Sequence, residues 1–123
     1  MIIEAVKFIA NTIIAEKNYL TQLDAKTGDG DHGLNMARGA TAVLEAIEDV
    51  DDTSDISTIL NMVGQEFVMN VGGASGPLYG SAFIEASKVL NSDSKLDSET
   101  LSKFFEAAIS AIKRRGHSKL GDK

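Results

Sequence analysis

The sequence predicts an all-α fold, a bundle of about five helices. Apolar residues recur at helical spacing in five separate stretches. No stretch alternates apolar and polar residues as a half-buried strand does. Polar or glycine-rich connections separate the stretches.

The first helix is expected from Ile2 to Leu20, where Ile2, Ile3, Val6, Ile9, Ala10, Ile13, Ile14 and Leu20 make one apolar face. A second runs roughly from Asn35 to Glu48, with Met36, Ala40, Val43, Leu44 and Ile47 on one side. The acidic stretch Glu48 to Asp55 reads as a solvated loop, and Ser54 or Asp55 can cap a third helix over Ile56 to Val71. Pro77 suits the first turn of a fourth helix, because its missing N–H would be unpaired there anyway. That helix carries Leu78, Phe83, Ile84, Ala86, Val89 and Leu90. The polar loop Asn91 to Asp97 leads to a fifth helix, capped by Asp97 or Ser98 and closed by Gly116 as a C-cap.

A chain of 123 residues fits one domain. It is 43% hydrophobic and 24% charged, as soluble globular proteins are. It has no cysteine, which excludes disulfides, thiolate metal sites and cysteine nucleophiles, and a reducing cytoplasm is its natural setting. The net charge of −6 argues against a general nucleic-acid surface, which must neutralise phosphates. The one basic cluster, Lys113, Arg114 and Arg115, falls where cations suit the end of a helix dipole. The opening Met1-Ile2-Ile3-Glu4 lacks a basic n-region, and no apolar run is long enough to span a bilayer. The expected protein is soluble and unexported.

Two glycine-rich loops, each leading into a helix N-terminus, stand out from this scaffold. Free N–H groups and the positive end of the dipole make such a terminus a place for anions and phosphates. The first loop reads Leu23-Asp24-Ala25-Lys26-Thr27-Gly28-Asp29-Gly30-Asp31-His32-Gly33-Leu34-Asn35. Crowded carboxylates repel unless they are solvated, protonated or bound to cations. Asp24, Asp29 and Asp31 are hard oxygen ligands suited to Mg²⁺ or Ca²⁺, with glycines that let them converge. An acidic surface loop that binds nothing is the alternative. His32 reads as a hydrogen-bond donor to phosphate or an orienter of a carboxylate, or else as a surface histidine.

Better-known motifs do not account for this loop. Counted from Asp29, an EF-hand would need its glycine at Leu34 and its closing glutamate at Ala40. Gly28 to Gly33 satisfies G-x-G-x-x-G, but no strand precedes it and carboxylates stand where a pyrophosphate would approach. A P-loop needs a Gly-Lys pair, and the chain has none.

The second loop, Gly72-Gly73-Ala74-Ser75-Gly76-Pro77-Leu78-Tyr79-Gly80, offers a cradle of backbone N–H groups and the Ser75 hydroxyl. A tight interhelical turn capped by Ser75 is the plainer reading. A serine-hydrolase elbow fails, because Pro77 replaces its last glycine and no strand precedes.

Together these segments, with Arg115-Gly116 and the terminal Gly121-Asp122-Lys123, resemble the L subunit of dihydroxyacetone kinases. The resemblance implies an antiparallel helical barrel with an adenine nucleotide, ADP or ATP, at one end. It implies two Mg²⁺ ions on Asp24, Asp29 and Asp31. Phosphate-side contacts would fall on His32, Gly33, Leu34, Asn35, Ala74 and Ser75, with Gly116 in a stretch that approaches the nucleotide. In the phosphotransferase-system version, ADP relays a phosphoryl group from a phosphohistidine on an M subunit to dihydroxyacetone on a K subunit; related enzymes use ATP directly. The family's chain continues past Gly-Asp-Lys, so residues 1–123 are expected to form an incomplete nucleotide-binding domain. The helices that close the barrel would be missing and the fragment prone to self-association. Alternatives are a regulatory or partner-binding module without catalysis, and a plain calcium-binding helical module.

Overall fold

The computed structural model describes residues 2–51, 54–91 and 94–122. Met1, Asp52, Thr53, Ser92, Asp93 and Lys123 lie outside them, and with them the last residue of the terminal motif and part of the loops 48–55 and 91–97. The described residues form six α-helices and no strand: α1 Ile2–Ala15, α2 Lys17–Ala25, α3 His32–Ile47, α4 Ile56–Asn70, α5 Ser75–Ser87 and α6 Ser98–Gly116.

The count exceeds the expected five because the first helical stretch breaks at Glu16. α1 buries Ile3, Val6 and Ala10, whereas α2 buries no residue. The chain bends where the apolar stripe gives out. α3 begins three residues earlier than the periodicity suggests, because Asp31 already stands at its N-cap. α5 begins at Ser75 and takes Pro77 into its first turn, as expected. Asp55 caps α4 by accepting from the Thr58 N–H at 2.8 Å, and Asp97 caps α6 through Thr100 in the same way. Both carboxyls are held below the usual range, chiefly by those backbone donors.

The end of α6 corrects one expectation. Gly116 stays helical, and His117 takes the left-handed conformation instead, with φ of 50°. The Ser118 N–H reaches back to the Lys113 carbonyl at 3.1 Å and closes the turn around His117. Arg114 and Arg115 also do more than face the helix dipole. They fork onto Glu85 of α5 at 2.7 and 3.0 Å, and the hydrogen bond from Arg115 is the main reason its carboxyl is depressed.

The helices pack in the order α1/α2, α3, α4, α5, α6. Neighbours run antiparallel: Asn35 lies against Gly72, while Val43 and Ile47 meet Ile59 and Val63. One core cluster joins Ile3, Val6, Val43, Ile47, Ile59 and Val63; a second joins Ile56, Leu60, Ala82, Ala86, Leu90, Phe104, Ala108 and Ala111. Phe83 meets Phe104 edge to face at 5.2 Å. The closest pairing is α4 on α5, where Gly64 faces Gly80. Between α1 and α6, the two edges of this array, lies an apolar cavity of about 510 Å³ lined by Ile2, Val6, Ile9, Leu101, Phe104 and Phe105 among others. No helix among the described residues is long and apolar enough to cross a membrane.

A methyl group at Gly64 would lie 2.7 Å from the Gly80 carbonyl oxygen and 2.9 Å from the Ile84 nitrogen. Helix propensity alone would make Gly64→Ala stabilising by about 1 kcal/mol. Overpacking against backbone reverses the sign, and urea unfolding is expected to show a loss of about 1–3 kcal/mol. A second expectation concerns the open edge, where Phe8 is 73% exposed, Ile9 59% and Phe105 53%. Each large apolar side chain left in water forgoes about 1.5–3 kcal/mol, against a total domain stability of about 5–15 kcal/mol. The 123-residue chain is expected to bind an apolar dye, to scatter light as more than a monomer and to melt low. A monomer with a sharp, high-temperature transition would contradict this.

Candidate functional site

The up-and-down packing returns three chain segments to the same end of the bundle: the loop between α2 and α3, the turn between α4 and α5, and the end of α6. Asn35 on the first turn of α3 lays its carboxamide on Gly72, within about 3 Å of where a Cβ would stand. Gly116 lies beside Leu78 of α5. The residues singled out in sequence are thus brought together, with two qualifications. Leu34 turns its side chain outward, 54% exposed, into a shallow groove with Lys17 and Arg38, so only its backbone can serve the site. Gly33 is buried with its α-carbon against α2, so it too can serve the site only through its backbone.

Asp24, at the end of α2, organises the acidic loop. Its backbone carbonyl accepts from Thr27 and Gly28 at 3.0 and 2.6 Å. Its Oδ2 accepts from the N–H groups of Asp31 and His32 at 3.0 and 3.2 Å. Gly30, at φ of 76°, makes the left-handed turn that only glycine adopts freely. The outcome is a convergence of carboxylates: Asp24, Asp29 and Asp31 each offer an oxygen within 4.8 Å of the others. Asp29 shows the resulting strain. A hydrogen bond to the Asp31 carboxyl, then the charge of Asp31, push its pKa up. Carboxylates crowded in this way mark a place where a cation is electrostatically preferred. The donor set is all oxygen, exposed or half-exposed, and suits Mg²⁺, which keeps several of its waters.

The two helices that start here are left open. Neither Asp31 before α3 nor Ala74 before α5 caps its own helix, although Asp24 takes the His32 N–H, whereas α4 and α6, starting at the opposite end, are each capped by the aspartate at their N-cap. Among the described residues the N–H groups of Gly33, Leu34 and Ser75 have no hydrogen-bond partner. Gly73, at φ of 69°, has open space around it, and Ala74 and Ser75 follow at the helix start. Ser75 is therefore not the turn cap of the plainer reading. Two positive helix ends flanking three carboxylates can hold a phosphate chain through metal on one side and N–H groups on the other. Sequence reading missed the contact between Asn35 and Gly72, for which pattern gives no signal.

A family model described as the DAK2 domain matches residues 26–123. Over 107 residues, 87% of this chain, the sequence is 43% identical to the ADP-binding subunit DhaL of PEP-dependent dihydroxyacetone kinase 1 from Listeria innocua, of which 53% is covered. It is 42% identical over 108 residues to the corresponding Escherichia coli subunit, covering 88% of this chain and 51% of that one. An L-erythrulose 1-kinase from Mycolicibacterium smegmatis is 36% identical over 105 residues, covering 85% of this chain and 18% of the kinase. The chain spans about half the length of the DhaL subunits it matches.

The three aspartates are expected to respond differently to substitution in the metal-free protein. A carboxyl whose folded pKa is raised costs stability once it ionises, so that cost grows as pH rises through the folded value. Asp29→Asn should therefore raise the melting temperature slightly at neutral pH and leave it unchanged in acid. Asp24→Ala removes the acceptor for two backbone N–H groups and should lower it. Melting curves across pH check both signs.

Proposed function

The chain belongs to the DAK2-domain family, and from that premise we propose that it is the nucleotide-holding part of a dihydroxyacetone kinase L subunit. The observation that carries this is the carboxylate trio set beside two uncapped helix N-termini at one end of the bundle. Phosphoryl transfer asks for positioning and charge neutralisation more than for a protein nucleophile.

Asp24, Asp29 and Asp31 would hold Mg²⁺, two ions in this reading, at the phosphates of ADP or ATP. Bound there, Mg²⁺ would supply positive charge to offset the negative charge that develops during transfer. The N–H groups of Gly33, Leu34 and Ser75 would take the remaining phosphate oxygens, with the His32 side chain and the Asn35 carboxamide within the same end of the bundle. Ala74 and Ser75 would bring the backbone close, and Gly116 would stand where α6 reaches the nucleotide. This chain would then hold the nucleotide through which a phosphoryl group passes from the phosphohistidine of an M subunit to dihydroxyacetone on a K subunit. Cytoplasmic location follows from those partners.

ADP binding is expected to require Mg²⁺, since carboxylates and phosphates repel without it. Calorimetry with and without a chelator tests this, and equal affinity in both would remove the metal bridge from the reading. In a full-length L subunit assayed with K and M subunits, Asp29→Asn and Asp31→Asn should each lower turnover by about 100-fold or more, the scale for a lost electrostatic clamp. Unchanged turnover at saturating Mg²⁺ would exclude that residue as an essential ligand.

A further inference from the structure

Resting on the reading of Asp24 as a metal ligand, we propose that Gly28 and Gly33 are positioning residues that seat its carboxylate, Gly33 by docking α2 and Gly28 by leaving room above the loop. Asp24 stands at the end of a nine-residue helix that buries none of its residues. Apolar packing therefore does little to fix where that carboxylate goes. At Gly33, α3 comes against α2 closely enough to leave no room for a Cβ. A methyl group at Gly33 would collide with the Lys17 carbonyl oxygen and with Thr21 Oγ1, and would lie 2.9 Å from the Lys17 carbonyl carbon. Lys17, Thr21 and Asp24 are spaced four and then three residues apart, so they share one face of α2. The first two rest on Gly33, and the third reaches the N–H groups of Asp31 and His32 immediately before it.

Gly28 limits the carboxylate from the other side. A methyl group there would overlap Asp24 Oδ1 and lie 3.2 Å from its Cγ. Gly28 is not in the left-handed region, so alanine fits its φ without strain; the methyl group meets the carboxylate first and lies 3.3 Å from the Asp24 carbonyl oxygen. Binding geometries tolerate errors of about 0.5 Å, less than either methyl group would impose. In this account the glycines act through Asp24. The Gly33 N–H survives in Gly33→Ala, so a lost phosphate donor cannot explain a loss of metal.

Two measurements on the 123-residue chain test the proposal. Amide hydrogen exchange at Asp31 and His32 reports directly whether Asp24 is in place, with no metal present. Titration with Mn²⁺ alone, followed by the paramagnetic resonance of the free ion, reports the site. Gly28→Ala and Gly33→Ala should each lose protection at both amides and weaken Mn²⁺ binding by about 10–100-fold, as outer-shell substitutions do. Gly64→Ala, destabilised at the distant interface of α4 and α5, should keep both. A folded Gly28→Ala with native protection and native Mn²⁺ affinity would overturn the proposal, even if Gly33→Ala fails to fold. Wild-type protein that takes up no Mn²⁺ would sink the metal reading, while amide exchange would still decide whether the glycines place Asp24.

Discussion

α4 and α5 cross at two glycines, Gly64 and Gly80, with the side chains of Ile84 and Val68 packed closely beside them. Gly64 faces the Gly80 carbonyl, and the Gly76 α-carbon sits against the carbonyls of Val71 and Phe67. Backbone meets backbone, and the turn between the helices shrinks to Val71, Gly72, Gly73 and Ala74. The N-terminus of α5 is thereby held at the end of the bundle where α4 stops. The same device recurs along α3, where Gly39 meets Val71 and Gly33 meets α2. Each contact depends on the absence of a Cβ, and together they bring the acidic loop and the glycine loop within side-chain reach of each other.

Aspartate does opposite work at the two ends. Asp55 and Asp97 satisfy the first turn of their helices, and their pKa values fall because backbone donors stabilise the charged form. At the other end Asp31 occupies the N-cap of α3 without capping it. Asp24 takes the N–H groups of Asp31 and His32 from seven and eight residues away, and Asp29 is left crowded against Asp31. Uncapped helix ends and crowded like charges are each unfavourable in the free protein. In the proposed reading they would complement a metal-bound phosphate, which supplies positive charge to the carboxylates and negative charge to the helix ends.

The site end is ordered by backbone contacts, whereas the flank between α1 and α6 is an open edge beside an apolar cavity of about 510 Å³. Met36 and Tyr79, on the early turns of α3 and α5, line that cavity, so the apolar interior extends up toward the end that carries the two loops. The fork of Arg114 and Arg115 on Glu85 ties α6 to α5 from outside, in a setting exposed enough to contribute no more than about 1 kcal/mol. Packing between α5 and α6 therefore rests mainly on Phe104, Ala108 and Ala111 against Ala82, Ala86 and Leu90.

The sequence by itself determined the helical class, the bounds of α4 and α6 nearly to the residue, the places of α3 and α5 to within about three residues, the caps at Asp55 and Asp97, and the two glycine-rich loops. These are local matters of apolar periodicity, capping side chains and the turn preferences of glycine, and they need no knowledge of neighbours. Only the tertiary structure decided the break at Glu16, the continuation of α6 through Gly116 to a left-handed His117, and the outward turn of Leu34. It also decided that Gly33 faces α2 while Asn35 faces Gly72. Which side of a glycine is approached, and by what, is set by residues distant in the chain, because a residue without a side chain leaves no directional signal in its own sequence.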